Sequence, residues 1–255
     1  MAKGENISSK PDISIVIPVK DEEENVAPLA VEVGKVMDAA PWSWECLWID
    51  DGSKDLTLTE LARTNKQDPR HEFISLDGNF GQAAALYTGF LHARGKLIAT
   101  LDGDSQNDPA DIPRLVTLLV EKNADMVNGQ RKKRRDSLVR RISSFIANAF
   151  RNWITNENIH DVGCSIRVFR HECVQHISLF KGMHRFLPTL VRMAGFTHIL
   201  EVPVSHRPRL RGQTKYGIHN RLWVGILDTL GVCWLQGRTV KPRIKSSTMA
   251  SGGKE

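Results

Sequence analysis

The sequence predicts an α/β protein whose doubly wound, mainly parallel sheet carries helices on both faces. In the first half of the chain, short runs rich in β-branched residues alternate with segments of helical length, which is the pattern of consecutive βαβ units. Acidic motifs directly follow two of these runs, and ligands of such sheets bind beyond the carboxyl ends of the strands. These observations predict one large domain with a binding site at one edge of its sheet.

The predicted strands are near-continuous apolar runs, as expected for parallel strands that are buried on both faces. They cover 13–18, 45–50, 72–76, 96–102 and 124–129, and helices are predicted at 22–39, 54–65, 82–94 and 109–122. Asp108 followed by Pro109 is typical of a helix N-cap and first turn, so the fourth helix is expected to begin there. The predicted organisation is a flexible N-terminus (1–11), a main domain (12–220), an amphipathic segment (221–244) and a disordered tail (245–255).

The composition is that of an ordinary soluble protein with a basic bias. The 255 residues carry a formal net charge of +6 and a pI near 9.2, which favours phosphates, nucleic acid or an anionic membrane face as partner. The four cysteines lack metal-site spacing, so a reducing cytoplasm without zinc or disulfides is expected. No signal peptide is expected, and the most apolar run, 222–236, contains Asp228 and falls short of the roughly 20 residues that span a bilayer.

The motif DGDSQ follows the fourth predicted strand. In an extended chain the side chains of Asp102 and Asp104 point to the same face, and Gly103 allows a ligand to approach closely. With the amide oxygen of Gln106 they form a small oxygen set with open positions, which suits Mg²⁺ or Mn²⁺. An EF-hand is excluded because the sixth and twelfth loop positions lack the required glycine and glutamate. A solvated turn is the alternative reading of this motif.

The motif DDGS follows the second predicted strand. Asp50 and Asp51 are expected to be free to bind the base and ribose of a nucleotide, while Ser53 or Asp55 begins the next helix. Because both acidic motifs end neighbouring strands, together they predict the floor of a cleft for a nucleoside diphosphate and its metal.

Two basic regions follow in the second half of the chain. The segment 131–141 is rich in arginine and lysine, and it continues into an amphipathic helix predicted at 138–153. This helix either packs on the core or faces an anionic membrane or lipid. A second basic cluster lies at 206–217. Nucleic-acid binding is the rival explanation, but the chain contains no nucleic-acid motif.

Several motifs in order carry a family resemblance: SIVIPVKDEEENV, WIDDGSKDLT, NFGQAAALYTGFLHARG, LDGDSQNDPADIPRLV, NGQR, DVGCSIRVFR and VPVSHRPRLRGQTKYG. Together they resemble the family 2 inverting glycosyltransferases of GT-A fold, in the polyprenyl-phosphate sugar synthase branch typified by dolichyl-phosphate mannose synthase. Thr214 stands where serine is usual in that branch, and Gln82 where lysine is frequent.

The resemblance assigns roles by position. It implies nucleotide binding by Pro18, Val19, Glu22, Asp50 and Asp51; metal binding by Asp102, Asp104 and Gln106; contact of Arg131 with donor or acceptor phosphates; and acceptor-phosphate binding by Arg140, Ser144, Arg209 and Lys215.

The resemblance also implies a reaction: transfer of a monosaccharide, with inversion, from a GDP- or UDP-sugar to undecaprenyl or dolichyl phosphate, with Mg²⁺ or Mn²⁺ as cofactor. The expected location is the cytoplasmic face of the membrane, as a peripheral protein, with a small membrane protein as a further partner and no nucleic acid. The alternatives are a glycosyltransferase of the same fold that acts on a saccharide hydroxyl, and a non-catalytic membrane or nucleic-acid binding protein.

Overall fold

The structure, a computed structural model, describes residues 10–131, 159–208 and 219–239. The strands are β1 (Ile13–Val19), β2 (Trp44–Asp50), β3 (His71–Ser75), β4 (Leu97–Thr100), β5 (Met126–Arg131), β6 (Arg167–Arg170) and β7 (Ile199–Val204). The helices are α1 (Glu23–Asp38), α2 (Thr57–Gln67), α3 (Gln82–His92), α4 (Asp111–Glu121), α5 (Leu187–Ala194) and α6 (His219–Arg238).

The described strands form one sheet in the order β3-β2-β1-β4-β6-β5-β7. β1 pairs in parallel with β2 and β4, β2 with β3, and β5 with β7, whereas β6 runs antiparallel between β4 and β5. The predicted α/β class with a mainly parallel sheet is therefore confirmed. The direction of strand order reverses at β1 and β4, which makes their carboxyl ends the switch point where ligands of open α/β sheets bind.

Apolar side chains cover both faces of the sheet, as the near-continuous strand patterns predict. Along β1 the alternate residues Ile13, Ile15 and Ile17 pack toward α1 and α4, while Val16 packs toward α3. The layer containing α3 also includes α5 and Val232 of α6. The sheet is thus buried on both faces in the described part of the chain.

Two predicted element ends need correction. The strand predicted through residue 102 ends at Thr100, because the chain turns at Gly103. The fourth helix begins at Asp111 with Ala110 at its N-cap, so Asp108 does not cap it. Instead, a carboxylate oxygen of Asp108 accepts a hydrogen bond from the amide of Ala110 at 3.0 Å, inside a preceding turn.

Other predictions fall wholly or mostly on residues outside those the structure describes: the N-terminus to residue 9, the amphipathic helix at 138–153, most of the second basic cluster, the last residues of the amphipathic segment (240–244), and the tail (245–255). All four cysteines lie within the described ranges, and none forms a disulfide. Among the described residues, no helix is both long enough and apolar enough to cross a bilayer.

Candidate active site

The carboxyl ends of β1 and β4 meet at the switch point of the sheet. The turn after β4 packs directly on the end of β1, because a Cβ on Gly103 would lie only 2.5 Å from Cγ1 of Val19. Glycine is therefore required at this contact. It brings the acidic motif after β4 beside Pro18 and Val19, as the sequence predicts for the floor of a cleft.

Asp102 and Asp104 follow β4 and lie within electrostatic range of each other. Burial and the negative charge of Asp104 raise the pKa of Asp102 to about 6, against the opposing effects of a hydrogen bond with Ser165 and the positive charges of Arg167 and Arg131. The side-chain amide of Gln82 also donates to Asp102 Oδ1 at 2.9 Å. The negative charges of the two carboxylates therefore repel each other, and a divalent cation bound between them would relieve that repulsion.

The donors of this turn fit a hard divalent cation. Apart from Asp102 and Asp104, the described residues supply no third histidine, cysteine or acidic side chain for a metal cluster. Two carboxylates with a neutral amide oxygen from Gln106 match Mg²⁺ or Mn²⁺, which complete their coordination with water and substrate phosphates. The extended backbone predicted for Asp102 and Asp104 is wrong, because Gly103 and Asp104 lie in a turn and Ser105 has a left-handed backbone with φ 59°.

This turn is also paired with a later segment of the chain. The main-chain oxygen of Gln106 accepts a hydrogen bond from the amide of Arg207 at 2.7 Å, and Asn107 forms a bridge with His206. The guanidinium of Arg207 is held by Glu32 and Asp108, each at 2.8 Å. The first two residues of the second basic cluster are therefore held beside the predicted metal ligands.

Asp50 and Asp51 lie at the end of β2, but the expectation that their carboxylates are free is wrong. Asp50 is 1% exposed and accepts hydrogen bonds from the amide and hydroxyl of Ser53 and the hydroxyl of Ser75. Asp51 is 4% exposed and accepts from the amides of Phe80 and Gly81. Both carboxylates hold neighbouring loops in place at the edge of the cleft.

The loops after β1 and β2 are joined by a second set of contacts. Lys20 donates to the main-chain oxygens of Asp51 and Gly52, at 3.1 and 3.0 Å. Gly52 has φ +65°, and a Cβ there would lie 2.6 Å from the backbone of Gly78, so this position needs glycine. Glu22, a predicted nucleotide ligand, accepts a hydrogen bond from the side chain of Asn25 at 2.6 Å.

Arg131 ends β5 and is bound by Asp161, which the sequence analysis did not identify. Nε and Nη2 of Arg131 each lie 2.8 Å from the carboxylate of Asp161, and this ion pair raises the pKa of Arg131 although burial opposes it. The residues are 30 positions apart, so no local pattern links them. Asp161 is the first residue of the motif DVGCSIRVFR, but that motif contains no signal for a pairing with Arg131.

Arg167, in the same motif, was also missed. It is 3% exposed, and its guanidinium donates to neutral oxygens of Asn128, Val162 and His184 at 2.7–3.1 Å. The pKa of Arg167 is lowered, because burial and the nearby charge of Arg131 outweigh the raising effects of Cys164, Asp102 and Asp161. This buried cation adds positive charge behind the acidic turn.

The structure thus gathers a majority of the predicted residues at one edge of the sheet. These are Pro18, Val19, Glu22, Asp50, Asp51, Asp102, Asp104, Gln106 and Arg131. The predicted acceptor residues Arg140, Ser144, Arg209 and Lys215 lie outside the described residues.

Comparison with known proteins identifies the family. The profile described as Glycosyl transferase family 2 matches residues 14–178, which is more than half of the chain and contains the acidic turn and Arg131. The chain belongs to glycosyltransferase family 2. The enzymatic class that its sequence motifs predict is therefore confirmed.

Two curated relatives place this family 2 glycosyltransferase more closely. It is 39% identical over 234 residues to dodecaprenyl-phosphate galacturonate synthase of Rhizobium johnstonii, covering 91% of this chain and 69% of the relative. It is 35% identical over 205 residues to undecaprenyl-phosphate 4-deoxy-4-formamido-L-arabinose transferase of Salmonella choleraesuis, covering 80% of this chain and 62% of that relative. The chain therefore matches the polyprenyl-phosphate branch that it resembles, while spanning only about two thirds of either relative.

Solved structures confirm the fold. Glucosyl-3-phosphoglycerate synthase from Mycobacterium tuberculosis, in complex with Mn²⁺, UDP and glucosyl-3-phosphoglycerate, superimposes with a TM-score of 0.65 at 16% identity, covering 91% of this chain and 81% of that one. The same synthase with Mg²⁺ and UDP gives a TM-score of 0.66 at 16% identity, covering 87% and 80%. At this identity the likeness establishes the shared architecture alone.

Proposed function

We propose that this family 2 glycosyltransferase transfers a monosaccharide from a nucleotide sugar to a polyprenyl phosphate, with inversion at the anomeric carbon. The observation that carries the proposal is the 39% identity to a dodecaprenyl-phosphate galacturonate synthase over 91% of the chain. The site supports it, because an acidic turn suited to a metal-bound diphosphate lies near Arg131 and Arg167.

The proposed reaction needs no base among the side chains of the site. A phosphate oxygen of the lipid attacks the anomeric carbon, the bond from that carbon to the donor diphosphate breaks, and the nucleoside diphosphate leaves with the electron pair. The second pKa of a phosphate monoester is about 6, so this nucleophile is largely ionised at pH 7. A saccharide hydroxyl, the acceptor in the alternative reaction, would instead have to lose a proton to a base.

The site contributes binding and charge. Asp102, Asp104 and Gln106 would hold Mg²⁺ or Mn²⁺, which when bound neutralises charge on the leaving diphosphate. Arg131 would bind a phosphate of the donor or acceptor, and the turns after β1 and β2 would receive the nucleoside. Arg140, Ser144, Arg209 and Lys215 would bind the lipid phosphate. Catalysis would then rest on positioning two anionic reactants together.

One face of α6 supports contact with a membrane surface. Leu227, Leu230 and Trp234 are 66%, 49% and 65% exposed and share a helical stripe, which Arg238 continues. Val232 is buried on the opposite side. An exposed stripe of leucine and tryptophan with an adjoining arginine suits the boundary of an anionic bilayer, where a polyprenyl phosphate would lie. A peripheral position on the cytoplasmic face, with a small membrane protein as an added partner, completes the proposal.

A transfer assay tests the function. The chain is incubated with Mg²⁺ or Mn²⁺ and a panel of UDP- and GDP-sugars, including those of the two sugars in the relatives' names. The acceptors are undecaprenyl phosphate, dolichyl phosphate and, as a matched control, the same polyprenols without phosphate. We expect a lipid-linked monosaccharide with the phosphates only, lost on chelation. Transfer to the polyprenols or to a saccharide, with none to the phosphates, would contradict the proposal.

A further inference from the structure

Arg131 and Asp161 form a close, nearly enclosed pair at the end of β5. Their side chains are 15% and 10% exposed. Besides the bonds from Nε and Nη2, the main-chain amide of Arg131 donates to Asp161 Oδ2 at 3.2 Å. The Asp161 carboxylate therefore binds both the backbone amide and one edge of the guanidinium of Arg131. These bonds fix the plane of the guanidinium as well as its distance from Asp161.

Asp161 is itself held by the sheet. Its main-chain amide donates to Glu201 of β7 at 3.2 Å, and its main-chain oxygen accepts from the side chain of Asn128 of β5 at 3.1 Å. Its carboxylate also accepts from the amide of Gly163 at 3.2 Å. The position of the carboxylate is thus set by two neighbouring strands, which is the rigid support that a precise site needs.

The hydrogen bonds with Asp161 leave part of the Arg131 guanidinium available for another anion. Of the described residues, none accepts a hydrogen bond from Nη1 of Arg131, while Nε and Nη2 both bind Asp161. Asp102 of the acidic turn lies within electrostatic range of the same guanidinium. Because the carboxylate fixes one edge of the guanidinium, it also fixes the direction of the opposite edge. Such an arginine is suited to bind a phosphate in a single orientation.

We propose that Asp161 is a positioning residue for the reaction: it orients Arg131 so that the guanidinium binds a phosphate group of a reactant beside the acidic turn. This inference rests on the proposed function. The phosphate belongs to the donor diphosphate or to the lipid acceptor, and the experiment distinguishes these two sources. A purely structural role for Asp161, tying residue 131 to residue 161, is the alternative.

A double-mutant cycle separates positioning from structural support. The variants are Asp161→Asn, Arg131→Gln and the double variant. The control is Asp125→Asn. The Asp125 carboxylate also accepts a hydrogen bond from a main-chain amide, that of His198, but Asp125 precedes the first residue of β5, at the end of the strand away from Arg131. We expect Asp161→Asn to lower kcat/KM by roughly 10–100-fold, as expected for a misplaced binding group. In the Arg131→Gln background, adding Asp161→Asn should lower kcat/KM by less than about two-fold, because the two residues act as a unit.

The kinetic constants identify the bound phosphate. A rise in KM for the nucleotide sugar alone assigns it to the donor, and a rise for the polyprenyl phosphate alone assigns it to the acceptor. A full, additional loss from Asp161→Asn in the Arg131→Gln background would overturn the inference. Activity of Asp161→Asn equal to that of the Asp125→Asn control would do the same.

Two further measurements keep the outcome decisive. If Asp161→Asn does not fold, Asp161→Glu is used instead, because it retains the negative charge but displaces the guanidinium of Arg131. We expect Asp161→Glu to lower kcat/KM by at least about ten-fold with an unchanged melting temperature. Wild-type activity of Asp161→Glu would contradict a positioning role. If the wild-type chain transfers no sugar, the proposed function fails separately. The same cycle is then measured by calorimetry as affinity for UDP and GDP with Mg²⁺ and, separately, for undecaprenyl phosphate. Additive losses, or no loss for any of these ligands, overturn the inference.

Discussion

The carboxylates at this edge of the sheet divide into two kinds. Asp50, Asp51 and Asp161 accept hydrogen bonds from amides and side chains that hold the surrounding loops. Asp102 differs, because its pKa is raised to about 6 by burial and by Asp104. Carboxylates that organise loops contribute to folding, whereas a repelling pair costs stability unless a cation binds.

This distinction predicts the effect of Asp104→Asn. We expect transfer to fall by at least about 100-fold, because one of the two proposed charged metal ligands is lost. Thermal stability without metal should stay equal or rise, because removing the repulsion lets the pKa of Asp102 move back toward 3.8. Transfer rates and Mn²⁺ affinity by calorimetry measure these effects.

The matched control is Glu121→Gln, which removes one negative charge from an exposed residue at the end of α4. Its activity and Mn²⁺ affinity should equal those of the wild-type chain. If Asp104→Asn also retains its full Mn²⁺ affinity, the assignment of the metal to this turn is wrong.

How far the sequence could predict the site depends on the spacing of its residues. Asp102, Asp104 and Gln106 lie within five positions, so a local pattern indicated them. Asp161 binds Arg131 across 30 positions, a pairing that only the sheet creates. The hydrogen bond from Ser75 to Asp50 could not be predicted either, because Ser75 lies at the end of another strand, 25 positions away.

At the scale of elements, prediction followed the strength of the apolar pattern. β1 to β5 and α1 to α4 were all located within a few residues, because buried parallel strands and their helices carry long, regular runs. β6 and β7 were not predicted. β6 has only four residues and two of them are arginines, and β7 lies at an edge where five of its six residues are only partly buried. Such strands depend on pairing rather than on their own pattern.

The first residue of β3 predicts a pH dependence of stability. His71 packs edge-on against Trp44 and accepts a hydrogen bond from Trp48 Nε1 at 3.1 Å. Burial lowers the pKa of His71 below 6.5, with Asp68 and Asp38 acting in the raising direction and Arg70 in the lowering direction.

Because the unfolded chain then binds a proton that the native state does not, the free energy of unfolding should fall as pH drops below about 6.5. The loss is about 1.4 kcal/mol for each unit by which folding depresses the pKa. Urea unfolding between pH 8 and 5 measures it. His71→Gln should reduce this slope, whereas His92→Gln, a change at an exposed histidine of α3, should leave it unchanged. Equal slopes in all three proteins would contradict a neutral, buried His71.

For the whole molecule, the net charge of +6 coexists with an acidic turn at the switch point. Net positive charge attracts anionic surfaces and phosphates, while the acidic turn would need a cation before a diphosphate could bind beside it. A metal-dependent enzyme that meets an anionic lipid uses both features. A protein that only binds nucleic acid would gain nothing from the acidic turn.

The exposed stripe of α6 then predicts how the molecule meets a bilayer. Leu227, Leu230 and Trp234 are changed together to glutamine, which preserves helix propensity. The matched control changes Leu58, Leu91 and Val120 to glutamine, three apolar residues that are 42%, 64% and 56% exposed on other helices. Binding to anionic vesicles that contain no polyprenyl phosphate is measured by co-sedimentation. We expect a loss of at least about ten-fold for the α6 variant only, because each buried apolar side chain contributes about 1.5–3 kcal/mol.

Salt separates the two contributions to this binding. Raising the ionic strength toward 1 M shortens the Debye length to about 3 Å, so the electrostatic part should disappear in both variants while the apolar part persists only in the control. If the α6 variant binds vesicles like the control at every salt concentration, the stripe does not face a membrane. If that variant instead converts a dimer to a monomer in analytical ultracentrifugation while vesicle binding is unchanged, the stripe joins two copies of the chain. If the control still binds vesicles and the α6 variant does not, the bilayer contacts α6. This follows because the two proteins differ only in which helix faces are made polar.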